Sequence, residues 1–165
     1  EIDSAIETAK KASEVGKDYK IDFKSFLKAS TYAGIAFSNA GCAAVHAMSY
    51  PLGAAFHVPH GESNYAVFTG VFKAYMELDG TGRITELNKI LAEILNCSED
   101  DVYTEIEALL NRAILKKKPL HEYGMTEDMV VEFAQSVIKN QQRLLANNYV
   151  ELAPEKIEEI YRKLL

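Results

Sequence analysis

The apolar positions of this chain recur at the three- and four-residue spacing of α-helices along most of its length. Periodic stretches cover residues 2–15, 23–39, 61–77, 84–95, 98–114, 126–145 and 154–165, and a further helix surrounds His46. No stretch shows the strict alternation that is typical of a half-buried strand. The pattern therefore predicts an all-α fold, a multi-helix bundle of about seven or eight helices in a single domain over residues 1–165.

The breaks between these stretches carry residues that end or begin helices. Asp79-Gly-Thr-Gly82 is a turn sequence, Ser98 followed by three acids is typical of a helix start, and Pro154 suits a first helical position. We also expect a loop over residues 119–124. The stretch 23–39 is apolar on more than one face, so we place that helix centrally in the bundle.

Three of the four histidines lie in one segment, residues 41–61, and two of them, His46 and His60, are fourteen positions apart. On one straight helix this separation is roughly 21 Å, whereas two imidazoles on one metal ion each need a metal–nitrogen distance of about 2.1 Å. Residues that disrupt or end helices lie between them: Pro51, Gly53 and Pro59. We therefore predict a helix that carries His46, a bend through residues 51–59, and a new helix that begins near His60.

Composition and charge restrict the class of partner. Of the 165 residues, 48% are hydrophobic and 25% are charged, which is ordinary for a globular domain, and the net charge of −6 argues against nucleic acid or an anionic membrane as a partner. Cys42 and Cys97 are expected to be free buried thiols, because nothing indicates secretion. No apolar run approaches the roughly 20 residues that cross a bilayer. We expect a cytoplasmic protein that binds a small molecule or another protein surface.

Three runs in the central segment carry a family resemblance: Ala33-Gly-Ile-Ala-Phe-Ser-Asn-Ala-Gly41, Val45-His-Ala-Met-Ser-Tyr-Pro-Leu-Gly53 and Val58-Pro-His-Gly-Glu-Ser-Asn-Tyr65. With these runs the chain resembles the iron-containing (group III) alcohol dehydrogenases, and within that family it is most similar to the 4-hydroxybutyrate dehydrogenases. The resemblance implies that His46 and His60 are the last two of four metal ligands. The first two ligands of family members, an Asp and a His one helical turn apart, lie upstream, and no Asp in this chain is followed four residues later by His.

The resemblance also implies a reaction and its cofactors. The complete enzyme would use Fe²⁺, with Zn²⁺ as a substitute, as a Lewis acid on the substrate oxygen, and NAD(P) would exchange the hydride. The substrates would be 4-hydroxybutyrate and succinate semialdehyde. The glycine-rich nucleotide-binding domain of the family is not in this sequence. We therefore expect the helical C-terminal domain of such an enzyme, inactive when isolated, either in a homo-oligomer or as the partner of an N-terminal domain.

Two further residues are candidate catalytic groups. Tyr50 lies one helical turn after His46 and would donate a hydrogen bond to a substrate oxygen, or simply pack beside a proline. His57, in the bend, would relay a proton or contact nicotinamide or substrate, or it is a histidine at the surface or one that contacts a metal ligand rather than the metal. Phe37, Ser38 and Asn39 resemble family positions near the pocket. His121 is expected to be structural or solvated.

The residues themselves are also compatible with two other functions. One is a non-catalytic, all-helical interaction module in which the histidines are only structural. The other is a metal hydrolase on a helical bundle, which needs carboxylates near the histidines, and only Glu62 is close in sequence. The geometry of the two histidine rings distinguishes these possibilities from the dehydrogenase.

Overall fold

The periodic stretches that fall in the described part of the chain all form helices. In the computed structural model, which describes residues 22–165 apart from the side chain of Phe23, the α-helices are α1 (Phe23–Ala40), α2 (Ala44–Phe56), α3 (His60–Leu78), α4 (Arg83–Leu95), α5 (Val102–Ala113), α6 (Met129–Asn140), α7 (Gln142–Leu145) and α8 (Pro154–Leu164). Two 3₁₀-helices, Glu99–Asp101 and Leu120–Tyr123, lie before α5 and before α6. The all-α prediction is confirmed, and none of residues 22–165 is in a strand. The helix predicted over residues 2–15 lies outside the described residues.

The described residues fall into two compact units. One comprises residues 22–40 and 82–116, and the other comprises residues 41–81 and 117–165. The single domain expected from the sequence stays a prediction. No helix in residues 22–165 is long and apolar enough to cross a membrane.

The unit formed by residues 41–81 and 117–165 has α2 at its centre. Helix α2 packs against α3, α6 and α7, and α8 packs against both α3 and α6. Fully or almost fully buried side chains from these helices form the core: Met48, Leu52, Val67, Val71, Val130, Val137, Ile157, Ile160 and Tyr161. Their helical spacing explains why the pattern predicted the helices correctly, because each core residue lies on the inward stripe of an amphipathic helix.

The other unit contains α1, α4 and α5. Helix α4 packs against α5 and against the 3₁₀-helix Glu99–Asp101, and Tyr103 Oη donates a buried hydrogen bond to Asn88 Oδ1 at 2.7 Å. The bounds of α1 match the prediction, but its central placement was wrong. None of its described side chains is buried, and Leu27 and Phe37 are 69% and 56% exposed. Apolar periodicity predicts a helix but does not state what covers it.

Outside residues 41–61, the stretches 98–114 and 126–145 differ most from their predicted boundaries. The stretch 126–145 is broken at Gln141, whose backbone (φ −118°, ψ 25°) leaves the helical region between α6 and α7. Ser98 Oγ accepts no cap hydrogen bond, and its hydroxyl donates to Asp101 Oδ2 at 2.7 Å. Apolar periodicity reports neither a local change of backbone angles nor a local side-chain hydrogen bond such as that of Ser98.

Candidate metal centre

The segment between α2 and α3 turns the chain back over three residues. His57 adopts a left-handed backbone conformation (φ 54°, ψ 31°) at the end of α2, and Pro59 directly precedes the first residue of α3. Ser63 Oγ lies 3.1 Å from the carbonyl oxygens of both Val58 and Pro59, and it is buried. Its hydroxyl group therefore fixes the returning chain against the first turn of α3.

Pro51 lies inside α2 rather than at a bend. The helix continues to Phe56, so the predicted bend through residues 51–59 was too long. A proline in a helix interior removes one backbone hydrogen bond and costs about 3 kcal/mol. Met48 and Leu52 on this helix are fully buried, and burying side chains of this size stabilises the helix by about 1.5–3 kcal/mol each. Tertiary packing thus outweighs the local preference of the proline.

The turn brings the rings of His46 and His60 together. Their centroids are 5.3 Å apart and their planes are inclined by 52°. Asn64 lies one turn after His60 on α3, and its Nδ2 atom is 3.1 Å from His60 Nε2 and 3.4 Å from His46 Nε2. Both imidazoles therefore direct Nε2 toward one point, which is the arrangement that two ligands of a shared ion require.

The environment of His46 favours its neutral form. Burial lowers the pKa of the His46 imidazole below its ordinary value of 6.5, and the nearby His60 lowers it further. Removing the ring from water disfavours the charged form, and a second imidazole adds like-charge repulsion when both are protonated. A neutral imidazole keeps a nitrogen lone pair, which is the form that binds metal ions.

Tyr50 lies beside this pair, and His57 does not. The Tyr50 ring is stacked on that of His60, with centroids 6.1 Å apart and planes inclined by 28°, and 43% of Tyr50 is exposed. Tyr50 thus lies next to the histidines, as its position one turn after His46 predicted. The side chain of His57 is exposed, and within residues 22–165 it takes no part in the ring contacts that join the other three.

The Glu62 carboxylate contacts two other side chains, Tyr123 and Lys118. Its Oε1 atom accepts a hydrogen bond from Tyr123 Oη at 3.0 Å and lies 3.6 Å from Lys118 Nζ. The Lys118 ammonium also lies 5.3 Å from the centre of the Tyr123 ring. These contacts hold the first turn of α3 to the segment before α6. They give Glu62 a structural role, which weakens the hydrolase alternative.

Two asparagines far along the chain position the start of α2, and the sequence reading missed them. Asn148 Oδ1 accepts hydrogen bonds from the Ala44 backbone N–H at 2.8 Å and from Tyr75 Oη at 3.0 Å. Asn147 Nδ2 donates to the Cys42 carbonyl at 3.1 Å. The only sequence indication was the Asn-Asn pair itself, which predicted a helix end. The contacts show that Asn148 caps the helix that carries His46.

The contacts described above involve no side chain of the remaining candidates. Phe37, Ser38 and Asn39 are at the end of α1, in the other compact unit, where Ser38 and Asn39 donate to carbonyls of their own helix. His121 Nδ1 contacts the Leu165 carbonyl, which agrees with the expected structural role. Cys42 and Cys97 are half-buried and form no disulfide.

The donor set fits part of a metal centre. The two Nε2 atoms suit Fe²⁺ or Zn²⁺, because imidazole nitrogen is a ligand that both metals accept. The buried Oδ1 atom of Asn64, beside them, has no hydrogen-bond partner. Within residues 22–165, however, no group of three or more His, Cys, Asp or Glu side chains is arranged to hold a metal ion. His46 and His60 therefore fit two positions of a coordination shell, and the described residues do not supply the others.

Comparison with known proteins identifies the relatives of this chain. Its residues 1–165 match the C-terminal family model of the Fe-containing alcohol dehydrogenases. The 4-hydroxybutyrate dehydrogenase of Clostridium kluyveri is 51% identical over 152 residues, covering 92% of this chain and 41% of that enzyme. Alcohol dehydrogenase 4 of Saccharomyces cerevisiae is 32% identical over 168 residues, covering 98% of this chain and 41% of that enzyme.

Solved structures give the same result for the fold. A mutant of ADH/D1, an archaeal halo-thermophilic alcohol dehydrogenase from a Red Sea brine pool, superimposes with a TM-score of 0.83 at 25% identity, covering 99% of this chain and 42% of that one. The chain thus spans about two fifths of the length of the relatives it matches. The family model over the whole chain and the two sequence relatives lead to one conclusion: this chain belongs to the Fe-containing alcohol dehydrogenase family, whose C-terminal region it matches.

Proposed function

We propose that His46 and His60 are two ligands of the catalytic metal in an NAD(P)-dependent alcohol dehydrogenase, of which this chain forms the C-terminal helical part. The observation that carries the proposal is the convergence of both Nε2 atoms on one point, 3.1 Å and 3.4 Å from Asn64 Nδ2. The two rings come from different helices, with centroids 5.3 Å apart, so the turn between α2 and α3 is what brings both nitrogens together. Membership of the Fe-containing family supports Fe²⁺ as the metal, with Zn²⁺ as a substitute.

The bound metal would supply Lewis-acid polarisation of the substrate oxygen, and NAD(P) would carry the hydride. The chain's own part in this chemistry is to place and orient groups around that oxygen. Partial burial lowers the pKa of His46, which favours the neutral imidazole that keeps one nitrogen lone pair. The helices that carry the ligands are fixed by Ser63 at the turn and by Asn148 at the start of α2.

Tyr50 and His57 are proposed to act on the substrate side of the pair. The Tyr50 ring stacks on His60 and is partly exposed, so its hydroxyl group is able to donate a hydrogen bond to a substrate oxygen. His57 is exposed at the turn between the two ligand helices, where it is able to exchange protons with solvent. We propose that it relays the proton that the alcohol loses or the aldehyde gains.

The proposed substrates are 4-hydroxybutyrate and succinate semialdehyde. The relative that supports this choice is the 4-hydroxybutyrate dehydrogenase of Clostridium kluyveri, which is identical to the chain at 51% of 152 aligned positions. The isolated chain is proposed to be inactive, because His46 and His60 are only two ligands and the described residues do not complete a metal shell.

A chimaera tests the proposal. The chain replaces the matching C-terminal two fifths of the Clostridium kluyveri enzyme, and the oxidation of 4-hydroxybutyrate is followed as NADH formation with Fe²⁺ present. We expect activity from the chimaera and none from the isolated chain. His46→Ala and His60→Ala should each lower kcat/KM by at least about a hundredfold and reduce the bound iron. His121→Ala is the matched control, since that side chain contacts only the Leu165 carbonyl among the contacts described above.

Two results would contradict the proposal. Full activity and iron content in both His46→Ala and His60→Ala would remove the two imidazoles from the metal shell. Turnover by the isolated chain would overturn its proposed incompleteness.

A further inference from the structure

The side chain of Asn64 joins the two candidate ligands directly. Asn64 and His60 are four residues apart on α3, so they lie on the same face of that helix. The Asn64 amide nitrogen is within hydrogen-bonding distance of Nε2 on His60 and of Nε2 on His46, which is on a different helix. Because the amide nitrogen is a hydrogen-bond donor, this contact bears on which nitrogen of each ring carries the proton.

A neutral imidazole has one protonated and one unprotonated nitrogen, and a hydrogen bond at one of them selects the tautomer. An asparagine amide nitrogen carries two N–H groups and accepts no hydrogen bond. When Asn64 Nδ2 faces both Nε2 atoms, each Nε2 must be the acceptor. Each ring then carries its proton on Nδ1.

The opposite orientation of the Asn64 amide is less favourable. In the present orientation the group left buried without a partner is the carbonyl oxygen Oδ1. Rotating the amide by half a turn would bury two N–H donors without partners in its place. Unpaired buried carbonyl groups are less costly and less rare than unpaired buried N–H groups. The hydrogen-bond balance therefore favours the amide nitrogen toward the histidines.

We propose that Asn64 is the positioning residue of the histidine pair: it donates one N–H to each Nε2 and holds both rings in the Nδ1–H tautomer, with both lone pairs directed at one point. The inference deepens the proposed function, since it concerns the same two imidazoles. It makes a prediction about the metal-free chain that does not depend on turnover.

The experiment measures the tautomers of the metal-free chain by long-range ¹H–¹⁵N correlation spectroscopy, with chelator present. We expect the Nδ1–H form to predominate for both His46 and His60. Asn64→Asp keeps the shape of the side chain but replaces the donor by an acceptor. In this variant the predominant form should change to Nε2–H or to the doubly protonated ring at both histidines. His57 and His121 are internal controls, and their spectra should be the same in both proteins.

Each outcome bears on the proposal. Predominant Nε2–H tautomers in the unmodified chain would overturn it without recourse to any variant. The same tautomers in Asn64→Asp as in the parent would show that Asn64 only fills space. Should Asn64→Asp fail to fold, Asn64→Ser provides a second variant, in which the ring that loses its donor should show mixed tautomers. These results are separate from the metal test, because Asn64 could position the rings even if the chimaera were inactive.

Discussion

The side-chain oxygen of Asn148 caps the helix that carries His46 by accepting a hydrogen bond from the backbone N–H of Ala44 at 2.8 Å. The first N–H groups of a helix have no partner within the helix, and α2 has no cap from its own N-cap residue, Ala43. The cap therefore comes from a residue 104 positions further along the chain. Position and orientation of the candidate ligand thus depend on the loop before α8.

Asn148→Ala should lower the free energy of unfolding by about 1–3 kcal/mol, because it leaves the Ala44 N–H and the Tyr75 hydroxyl without their acceptor. Urea denaturation measures the change. Asn148→Asp keeps an acceptor at the positive end of the helix, so its free energy of unfolding should fall by less than that of Asn148→Ala. Asn140→Ala is the matched control at an exposed helix end, with an expected change within about 0.5 kcal/mol. Equal losses in Asn148→Ala and Asn140→Ala would rule out the capping role.

Gly41→Ala should destabilise the protein by about 1–3 kcal/mol. The backbone of Gly41 has φ +78°, which is strained for alanine, and an added Cβ would lie 2.5 Å from Asn147 Nδ2. Thermal unfolding followed by circular dichroism measures the loss. Gly61→Ala is the matched control, because its added Cβ would meet no described atom within 4 Å outside its chain neighbours and its own helix backbone. That variant should be neutral or up to about 1 kcal/mol more stable, since alanine favours the helix. A stable Gly41→Ala protein would contradict the geometry of this turn.

Tyr161→Phe should lower the free energy of unfolding by about 0.5–1.5 kcal/mol. Its fully buried hydroxyl group donates to the Met48 carbonyl at 2.7 Å, and that carbonyl lies in the helix that contains Pro51. Burial also raises the pKa of the Tyr161 hydroxyl, so the group remains a donor at any ordinary pH. Tyr50→Phe is the control, since that ring is 43% exposed, and its stability should change by less than about 0.5 kcal/mol. Chemical denaturation of both variants decides whether the hydroxyl of Tyr161 stabilises α2.

The ion pair between Glu77 and Lys156 should contribute to stability only between two pH limits. Lys156 Nζ lies 2.5 Å from Glu77 Oε2, and this hydrogen bond lowers the pKa of Glu77 below 4.5 and raises that of Lys156 above 10.5. The contribution of Glu77 is complete above pH 4.5 and is lost as the pH falls through its folded-state pKa. The contribution of Lys156 is complete below pH 10.5 and is lost as the pH rises through its folded-state pKa.

Glu77→Gln tests this pair. At pH 7 the variant should be less stable by up to about 1 kcal/mol, because the carboxylate is half exposed and solvent weakens the attraction. The difference from the parent protein should shrink below pH 4.5 and above pH 10.5, as measured by unfolding over a pH series. Glu151→Gln, at an exposed loop position, is the control and should differ little at any pH. A difference that stays constant with pH would show that Glu77 acts through something other than its charge.

The sequence by itself determined the helices and the return of the chain between His46 and His60. The helical spacing of apolar residues predicts α1, α3, α4 and α8 to within a residue or two, because the inward stripe of a helix follows directly from its period. Pro59 was correctly predicted to lie in the bend before a new helix, since the residue before a proline is pushed out of the helical region. The sequence runs that resemble the family identified His46 and His60 as candidate ligands before their geometry was known.

Only the tertiary structure decided where the bend lies and what holds the site. Pro51 remains inside α2 because burial of Met48 and Leu52 outweighs its local cost, and no local pattern contains that balance. The roles of Asn64 and Asn148 depend on contacts with another element of the fold, across 104 residues in the case of Asn148. The physical reason is that periodicity records which face of each helix is apolar, whereas hydrogen bonds between polar side chains depend on which helices meet.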